Sequence, residues 1–241
     1  MQYSTFAAID IGSYDVILEI FEISKKQGIR SVDKICHRME LGKDTYTLGK
    51  IRPEMEEELC RVLADFVRIM EGYRVDDYRA TASSAISEAS NSLYVLGKIH
   101  QLTGLSVTVL SNSEQRFLSY KALAAMEDNF NKIIEKGTAI LDLDGGSFQI
   151  SLFDKDALVT TQNIRMGSLR IRERLAGIQS ETEHYEEMVE ELIWNEVSSF
   201  KKMYLKDRKI ENIMLIGDVF TDSVYQNIEE KTTKIISREN F

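Results

Sequence analysis

Cysteine and histidine are scarce in this 241-residue chain. The two cysteines, Cys36 and Cys60, are too few and too far apart in sequence for a disulfide framework or a thiolate metal site. The three histidines, His37, His100 and His184, show no spacing typical of a metal site. A reducing compartment therefore suits this sequence, and a metal centre built on histidine or cysteine is not expected.

Positive charge is also in short supply. Thirty Lys and Arg residues are outnumbered by thirty-nine Asp and Glu residues, which leaves a net charge of −9. The average surface field therefore repels DNA, RNA and anionic lipid. We expect no nucleic-acid or membrane partner, and a polyanionic ligand has to be held by local contacts against this field.

The chain lacks a long apolar run as well. No run approaches the roughly 18 residues of a membrane helix, and the N-terminus has no basic segment of a signal peptide. With 43 % apolar and 29 % charged residues, the composition is that of a globular protein and excludes a disordered or fibrous chain. We expect a soluble cytoplasmic protein of one or two domains.

What the sequence does contain is one pattern that occurs twice: strand, turn of small residues, strand, strand, helix. The first copy has strands at 5–11, 16–21 and 29–41, then a helix that begins at the only proline, Pro53, and ends at Gly72. The second copy has strands at 138–143, 148–153 and 157–165, then an amphipathic helix over roughly 181–204. Between them we expect strands near 78–81 and 105–110, helical residues around 84–102 and a helix from Ser113. An internal duplication of an α/β unit is the economical explanation.

The turns after the first strand of each copy have the composition of phosphate cradles. A glycine lets the backbone bend so that successive N–H groups point at one anion. The predicted cradle residues are Gly12 and Ser13 in the first copy and Gly145, Gly146 and Ser147 in the second. The alternative is a plain hairpin turn in which the aspartate side chain bonds to its own backbone.

Carboxylates accompany both turns. Asp10 and Asp142 each sit in the apolar strand before the turn, and Asp144 lies within the second turn. Carboxylates in this position are suited to hold Mg²⁺ or a metal-bound water next to a phosphate. Asp10, Asp142 and Asp144 are therefore the candidate metal ligands.

Five segments agree in order and spacing with the motifs of a known family. They are residues 6–13 (FAAIDIGS), 82–91 (ASSAISEASN), 110–120 (LSNSEQRFLSY), 140–147 (ILDLDGGS) and 166–173 (MGSLRIRE). Together they resemble the exopolyphosphatase and guanosine pentaphosphate phosphohydrolase (Ppx/GppA) family, over residues 5 to about 220. The resemblance implies the fold of actin, sugar kinases and heat-shock chaperones: a duplicated ribonuclease-H-like α/β unit, with domains at 1–120 and 121–241 and a cleft between them.

The resemblance also implies a chemistry. Members of the family hydrolyse the terminal phosphate of polyphosphate or guanosine pentaphosphate with Mg²⁺, so such a ligand and Mg²⁺ are expected here, with Arg170 as a phosphate contact. Relatives often form dimers, so a homodimer is a further expectation. Family chains usually continue beyond the point reached here, so either a C-terminal part was removed or this member is short.

Several positions depart from the family pattern. Asp15 replaces a serine, Ser87 replaces an arginine, and Asp144 replaces the first glycine of the second turn. Near the C-terminus, Val219 and Phe220 stand where the family has a pair of glycines. These changes remove a positive charge and add acids, so long polyphosphate is the least suitable of the family's substrates for this chain.

The most consequential departure lies in the segment 110–120. The family has a glutamate that activates the attacking water where this chain has Gln115, and an amide positions a water but does not take its proton. Glu114 is one residue earlier and points about 100° away around a helix, so it replaces the base only if the helix rotates. We expect Glu114 to cap the helix with Ser111 or Ser113, or to be solvated.

Two hypotheses follow from these residues. The first is a Ppx/GppA-type phosphohydrolase weakened by loss of the glutamate, with Gln115 or Glu114 handling water. The second is a catalytically degenerate regulatory module on the same fold that binds a nucleotide or phosphate. In either case the larger aromatic residues are expected in the core: Phe66, Phe117, Tyr120, Trp194 and Phe200.

Overall fold

The chain divides into two compact units, Met1–Gln115 and Arg116–Phe241. A computed structural model describes residues 3–126, 129–179, 184–206, 208–217 and 234–237. Each unit is a five-stranded sheet with helices. No helix in these ranges is long and apolar enough to cross a membrane.

The first unit is built on a mixed sheet with strand order β3-β2-β1-β4-β5. β1 is antiparallel to β2 and parallel to β4, β2 is antiparallel to β3, and β4 is parallel to β5. Its elements are β1 (Ser4–Ile11), β2 (Asp15–Ser24), β3 (Gly28–Arg38), α1 (Leu41–Leu48), α2 (Pro53–Tyr73), β4 (Asp77–Ala82), α3 (Ser84–Ser87), α4 (Ser92–Thr103) and β5 (Val107–Val109).

The core of this unit follows from strand alternation. Ala7, Ile9 and Ile11 share one face of β1, and all three are fully buried. Apolar side chains of α2, including Leu59 and Leu63, belong to the same core. The C-terminal end of β1 is therefore anchored in a packed core, and this fixes the position of the first predicted cradle.

The second unit repeats this plan in four of its strands, with the order β10-β9-β6-β7-β8; β10 differs, because it is antiparallel to β9 whereas β5 is parallel to β4. β6 is antiparallel to β7 and parallel to β9, as β1 is antiparallel to β2 and parallel to β4. β7 is antiparallel to β8, as β2 is antiparallel to β3. The elements are α5 (Asn112–Met126), α6 (Phe130–Ile134), β6 (Thr138–Leu143), β7 (Phe148–Asp154), β8 (Ala157–Ile164), α7 (Ser168–Gln179), α8 (Tyr185–Tyr204), β9 (Asn212–Ile216) and β10 (Lys234–Ser237). The predicted internal duplication is confirmed. Helix α5 begins in the first unit, and the predicted boundary at residue 120 lies in the same helix.

Three helices were not predicted: α1, α6 and α7. Helix α1 depends on distant contacts, because the carboxylate of Asp44 accepts hydrogen bonds from the backbone N and Nε of Arg52 at 2.9 and 2.8 Å. Its presence ends β3 at Arg38, earlier than predicted. The prediction that Gly72 ends α2 was also wrong, because the helix continues to Tyr73 and Arg74 adopts the left-handed conformation there, with φ 53°.

The predicted aromatic core is correct in part. Phe66 and Phe200 are buried and Tyr120 is half-buried, whereas Phe117 and Trp194 are 60 % and 63 % exposed. On α5 and α8 the inward faces are formed by other side chains, among them Leu123 and Phe200. Helical spacing alone does not show which of two neighbouring apolar positions faces the sheet.

Candidate functional site

The loop between β6 and β7 is closed by its own aspartate. Oδ1 of Asp144 accepts hydrogen bonds from the backbone N–H of Gly146 at 2.7 Å and of Ser147 at 2.5 Å. The hydroxyl of Ser147 lies 3.5 Å from Oδ2, and the Asp144 N–H donates to the Ser147 carbonyl at 3.1 Å. Two of the amides predicted to bind phosphate thus already donate to a carboxyl group of the chain itself.

The start of α7 packs directly on this loop. The N–H of Ser168 donates to the Asp144 carbonyl, and the N–H of Arg170 to the Gly145 carbonyl, both at 3.1 Å. A Cβ on Gly167 would lie 2.4 Å from the backbone of Gly145 and of Ser147, so only glycine allows this approach. Sequence reasoning assigned no role to Gly167, although its place between a strand and a helix within a family motif was a usable signal.

Arg170, the predicted phosphate contact, lies against the loop. Its Nε donates to the carbonyl of Gly146 at 2.9 Å. Burial raises the pKa of Asp144, and the hydrogen bonds from Ser147 and Gly146 and the charge of Arg170 oppose this rise. The guanidinium therefore braces the loop and lies close enough to influence its carboxyl group.

Asp142 is a half-buried residue near the end of β6. Burial and the charge of Asp144 raise its pKa to about 6, and a hydrogen bond from Ser119 opposes the shift. The Ser119 hydroxyl, on α5, lies 3.4 Å from Oδ2 of Asp142. A carboxyl group whose pKa is raised by burial and by a neighbouring carboxyl group is typical of functional sites.

A polar network that sequence reasoning missed lies between α5 and the same sheet. The Tyr120 hydroxyl donates to Ser151 Oγ at 2.6 Å, and the Ser151 and Thr161 hydroxyls are 3.3 Å apart. Arg116 donates to Thr161 Oγ1 at 3.2 Å. The signal was present in the sequence, because Arg116 stands where the family motif has alanine.

The corresponding turn of the first unit is also occupied by internal contacts. The N–H of Gly12 donates to the Asp15 carbonyl at 2.9 Å. Ser13 is buried, and its hydroxyl is hydrogen bonded to that of Tyr46 at 2.6 Å. Asp10 is exposed, with Thr81 Oγ1 3.4 Å from its Oδ1. The turn is thus tied into its own unit, while Asp10 faces solvent.

Glu114 forms the helix cap that the sequence predicts. Its Oε2 accepts hydrogen bonds from the N–H and the hydroxyl of Ser111 at 2.9 and 2.7 Å, and its own N–H lies 3.3 Å from Ser111 Oγ. The bond from the Ser111 backbone is the largest cause that lowers the pKa of Glu114. Gln115, half-buried, follows it in the first turn of α5. A glutamate held in a capping box is poorly placed to act on a substrate.

The structure thus groups the predicted residues by unit. The second unit brings together Asp142, Asp144, Gly145, Gly146, Ser147 and Arg170; the first contains Asp10, Gly12, Ser13, Glu114 and Gln115. Val219 and Phe220 lie outside the described residues. Within the described part of the chain, no group of three or more His, Cys, Asp or Glu residues is arranged to hold a metal ion.

Mg²⁺ still fits the residues in one respect. This ion is usually held by one or two carboxylates together with waters and substrate phosphates rather than by a full protein cage. Asp142 meets that requirement, because a cation would relieve the unfavourable pairing with Asp144. Oδ1 of Asp144 is already engaged by two amides.

Comparisons with known proteins agree with this architecture. Residues 19–241 match the model of the Ppx/GppA phosphatase family. The bifunctional 3-dehydroquinate synthase/phosphatase of Fusobacterium nucleatum is 22 % identical over 238 residues, which are 93 % of this chain and 34 % of that protein. Exopolyphosphatase 1 of Mycobacterium leprae is 25 % identical over 144 residues, 59 % of this chain and 41 % of that protein. The chain spans between about a third and two fifths of the length of these curated relatives.

Solved structures show the fold. An exopolyphosphatase from Cytophaga hutchinsonii matches with a TM-score of 0.75 at 20 % identity, over 89 % of this chain and 66 % of that one. The Ppx/GppA family member of Aquifex aeolicus matches with a TM-score of 0.65 at 22 % identity, over 90 % and 66 % of the two chains. The predicted duplicated, actin-like fold is confirmed.

Proposed function

The chain belongs to the Ppx/GppA phosphatase family, and from that premise we propose that it is a weakened phosphohydrolase for terminal phosphoanhydrides. Guanosine pentaphosphate or a similarly short ligand suits it better than long polyphosphate. The observation that carries the proposal is the pair of half-buried residues Asp142 and Asp144 at the end of β6, with the pKa of Asp142 raised to about 6. Burying two like charges together is costly, and such an arrangement is typical of sites that meet a cation or a proton.

Asp142 is the proposed Mg²⁺ ligand. The ion, when bound, supplies positive charge that offsets the negative charge of the phosphate oxygens. Ser119 orients the carboxyl group through the contact to Oδ2. Arg170 holds the adjacent loop through Gly146, so the carboxyl pair lies on rigid elements.

Gln115 limits the rate in this proposal. Its amide orients a water by hydrogen bonding but has no useful basicity, so proton transfer loses the contribution of a general base. That contribution is typically about 100-fold to 10,000-fold in rate. Gln115 lies one turn before Ser119 on α5, and residues at this spacing share a helix face.

A second candidate is a regulatory module that binds a nucleotide or phosphate without hydrolysing it. It is favoured by the lack of a general base, because Gln115 carries an amide and the carboxylate of Glu114 is held by Ser111. Both candidates share a proposed cytoplasmic location, which the scarcity of cysteine favours. The net charge of −9 argues against nucleic acid and membrane lipid as partners of either. A homodimer is the proposed assembly, measurable by light scattering.

The deciding experiment is phosphate release from guanosine pentaphosphate and from polyphosphate with Mg²⁺. We expect slow turnover by the wild-type chain and a rate increase of about 100-fold or more in Gln115→Glu, because a base is restored. Gln115→Asn, which keeps an amide, is the matched control and should show no increase. Asp142→Asn should abolish the phosphate release that depends on Mg²⁺.

The outcomes separate the candidates. Fast wild-type turnover that Gln115→Glu leaves unchanged would refute the role given to Gln115. No release by either protein, combined with measurable nucleotide binding, would favour the regulatory module.

A further inference from the structure

The β6–β7 loop contains the carboxyl group of Asp144, which takes the place of an anionic ligand and so affects which ligands the loop can bind. We propose that Asp144 is a specificity-determining residue that closes this loop to phosphate. The inference deepens the proposed function and rests on it, because it concerns the same site. It predicts that a ligand of this chain is bound without the amides of Gly146 and Ser147.

The hydrogen bonds of the loop support this exclusion of phosphate. A phosphate oxygen bound by successive amides would have to take the place of one acceptor that both N–H groups share. Oδ1 of Asp144 fills that place at 2.7 and 2.5 Å, distances typical of strong hydrogen bonds. An incoming phosphate oxygen therefore competes with a covalently attached acceptor for the same two donors.

Displacing Asp144 is made harder by its surroundings. Its N–H and carbonyl are bonded to Ser147 and Ser168, so the backbone at residue 144 is fixed on both sides. The carboxyl group also lies close enough to Asp142 for the charges of the two side chains to interact. A phosphate entering the loop would meet two carboxyl groups, and both disfavour a further negative charge.

An alternative interpretation gives Asp144 a structural role alone, as the residue that shapes the turn. The two interpretations differ in what happens when the side chain is removed. A structural role predicts a disordered loop with no new ligand, whereas an excluding role predicts that the amides become available to an external anion.

The test is an NMR titration of the full chain, labelled with ¹⁵N, with sodium pyrophosphate in metal-free buffer. In the wild type we expect the Gly146 and Ser147 amide resonances to stay in place. In Asp144→Gly we expect both to shift in a saturable way, with binding at least about tenfold tighter because two strong donors are released. Asp144→Asn is the matched control, since its carboxamide oxygen keeps the same acceptor, and it should gain less than the glycine variant.

The result that overturns the proposal is equally specific. Saturable shifts of Gly146 and Ser147 in the wild type would show that Asp144 does not exclude the anion, and a folded Asp144→Gly that shows none would refute it too. If the glycine variant does not fold, Asp144→Ser serves in its place. Because the readout is binding, absent phosphate release in the hydrolysis assay would sink the proposed function and leave this result interpretable.

Discussion

Replacing Asp142 by asparagine is expected to stabilise the protein at neutral pH. Burial and the charge of Asp144 raise the pKa of Asp142 to about 6, whereas the pKa of an aspartate in an unfolded chain is about 3.9. The folded state therefore binds this proton more tightly than the unfolded state. The sign follows from linkage: below about pH 4 the group is neutral in both states, and the free energy of unfolding falls as the pH rises towards 6.

The size of the effect follows from the shift. One pKa unit corresponds to about 1.4 kcal/mol, so a shift of about two units places the penalty for a charged Asp142 near 3 kcal/mol above about pH 6. Asparagine removes the charge but adds an N–H₂ group that needs its own partners, which lowers the expected gain to about 2 kcal/mol. The free energy of unfolding of the variant should therefore equal that of the wild type, or fall below it, at about pH 4.

The assay is urea unfolding of both proteins from pH 4 to 8 in the presence of a chelator, so that no metal ion neutralises the site. Asp65→Asn, at an exposed carboxyl group of α2, is the control and should change stability little. A destabilised Asp142→Asn at pH 7, or a difference that does not vary with pH, would show that the buried charge is not penalised as argued.

Three further predictions concern the support of the site. Gly167→Ala should destabilise the protein by about 2 kcal/mol or more in thermal unfolding, because the added Cβ would lie 2.4 Å from the loop backbone. The control is Gly97→Ala in α4, where nothing lies within 4 Å of the added Cβ, and this variant should be as stable as the wild type or slightly more stable. Asp44→Ala should destabilise by roughly 2 kcal/mol in urea, since two hydrogen bonds from Arg52 lose a buried acceptor, and an unchanged midpoint would contradict this. Ser111→Ala should cost about 1 kcal/mol and speed amide exchange at the start of α5; equal exchange in both proteins would mean that the capping box is unimportant.

Much of the fold follows from local pattern. The strands before and after each turn were predicted within a few residues, because short apolar runs on either side of a turn of small residues indicate paired strands. The capping box of Glu114 with Ser111 was predicted for a similar reason, since it depends on residues three apart. The short helix α1 was missed because its stability comes from Arg52, which lies beyond the helix.

The candidate site divides in the same way. The sequence by itself determined which residues accompany the turns, that Gln115 lacks basicity, and that the chain is acidic, because these are properties of residue type and order. Only the structure decided between the two alternatives for the second turn, because the carboxyl group of Asp144 turns back onto Gly146 and Ser147. Only the tertiary structure decided that Asp142 is half-buried beside Ser119 of α5. Burial and hydrogen-bond partners depend on which surfaces are brought together in folding, and they determine whether a carboxyl group serves a ligand or its own backbone.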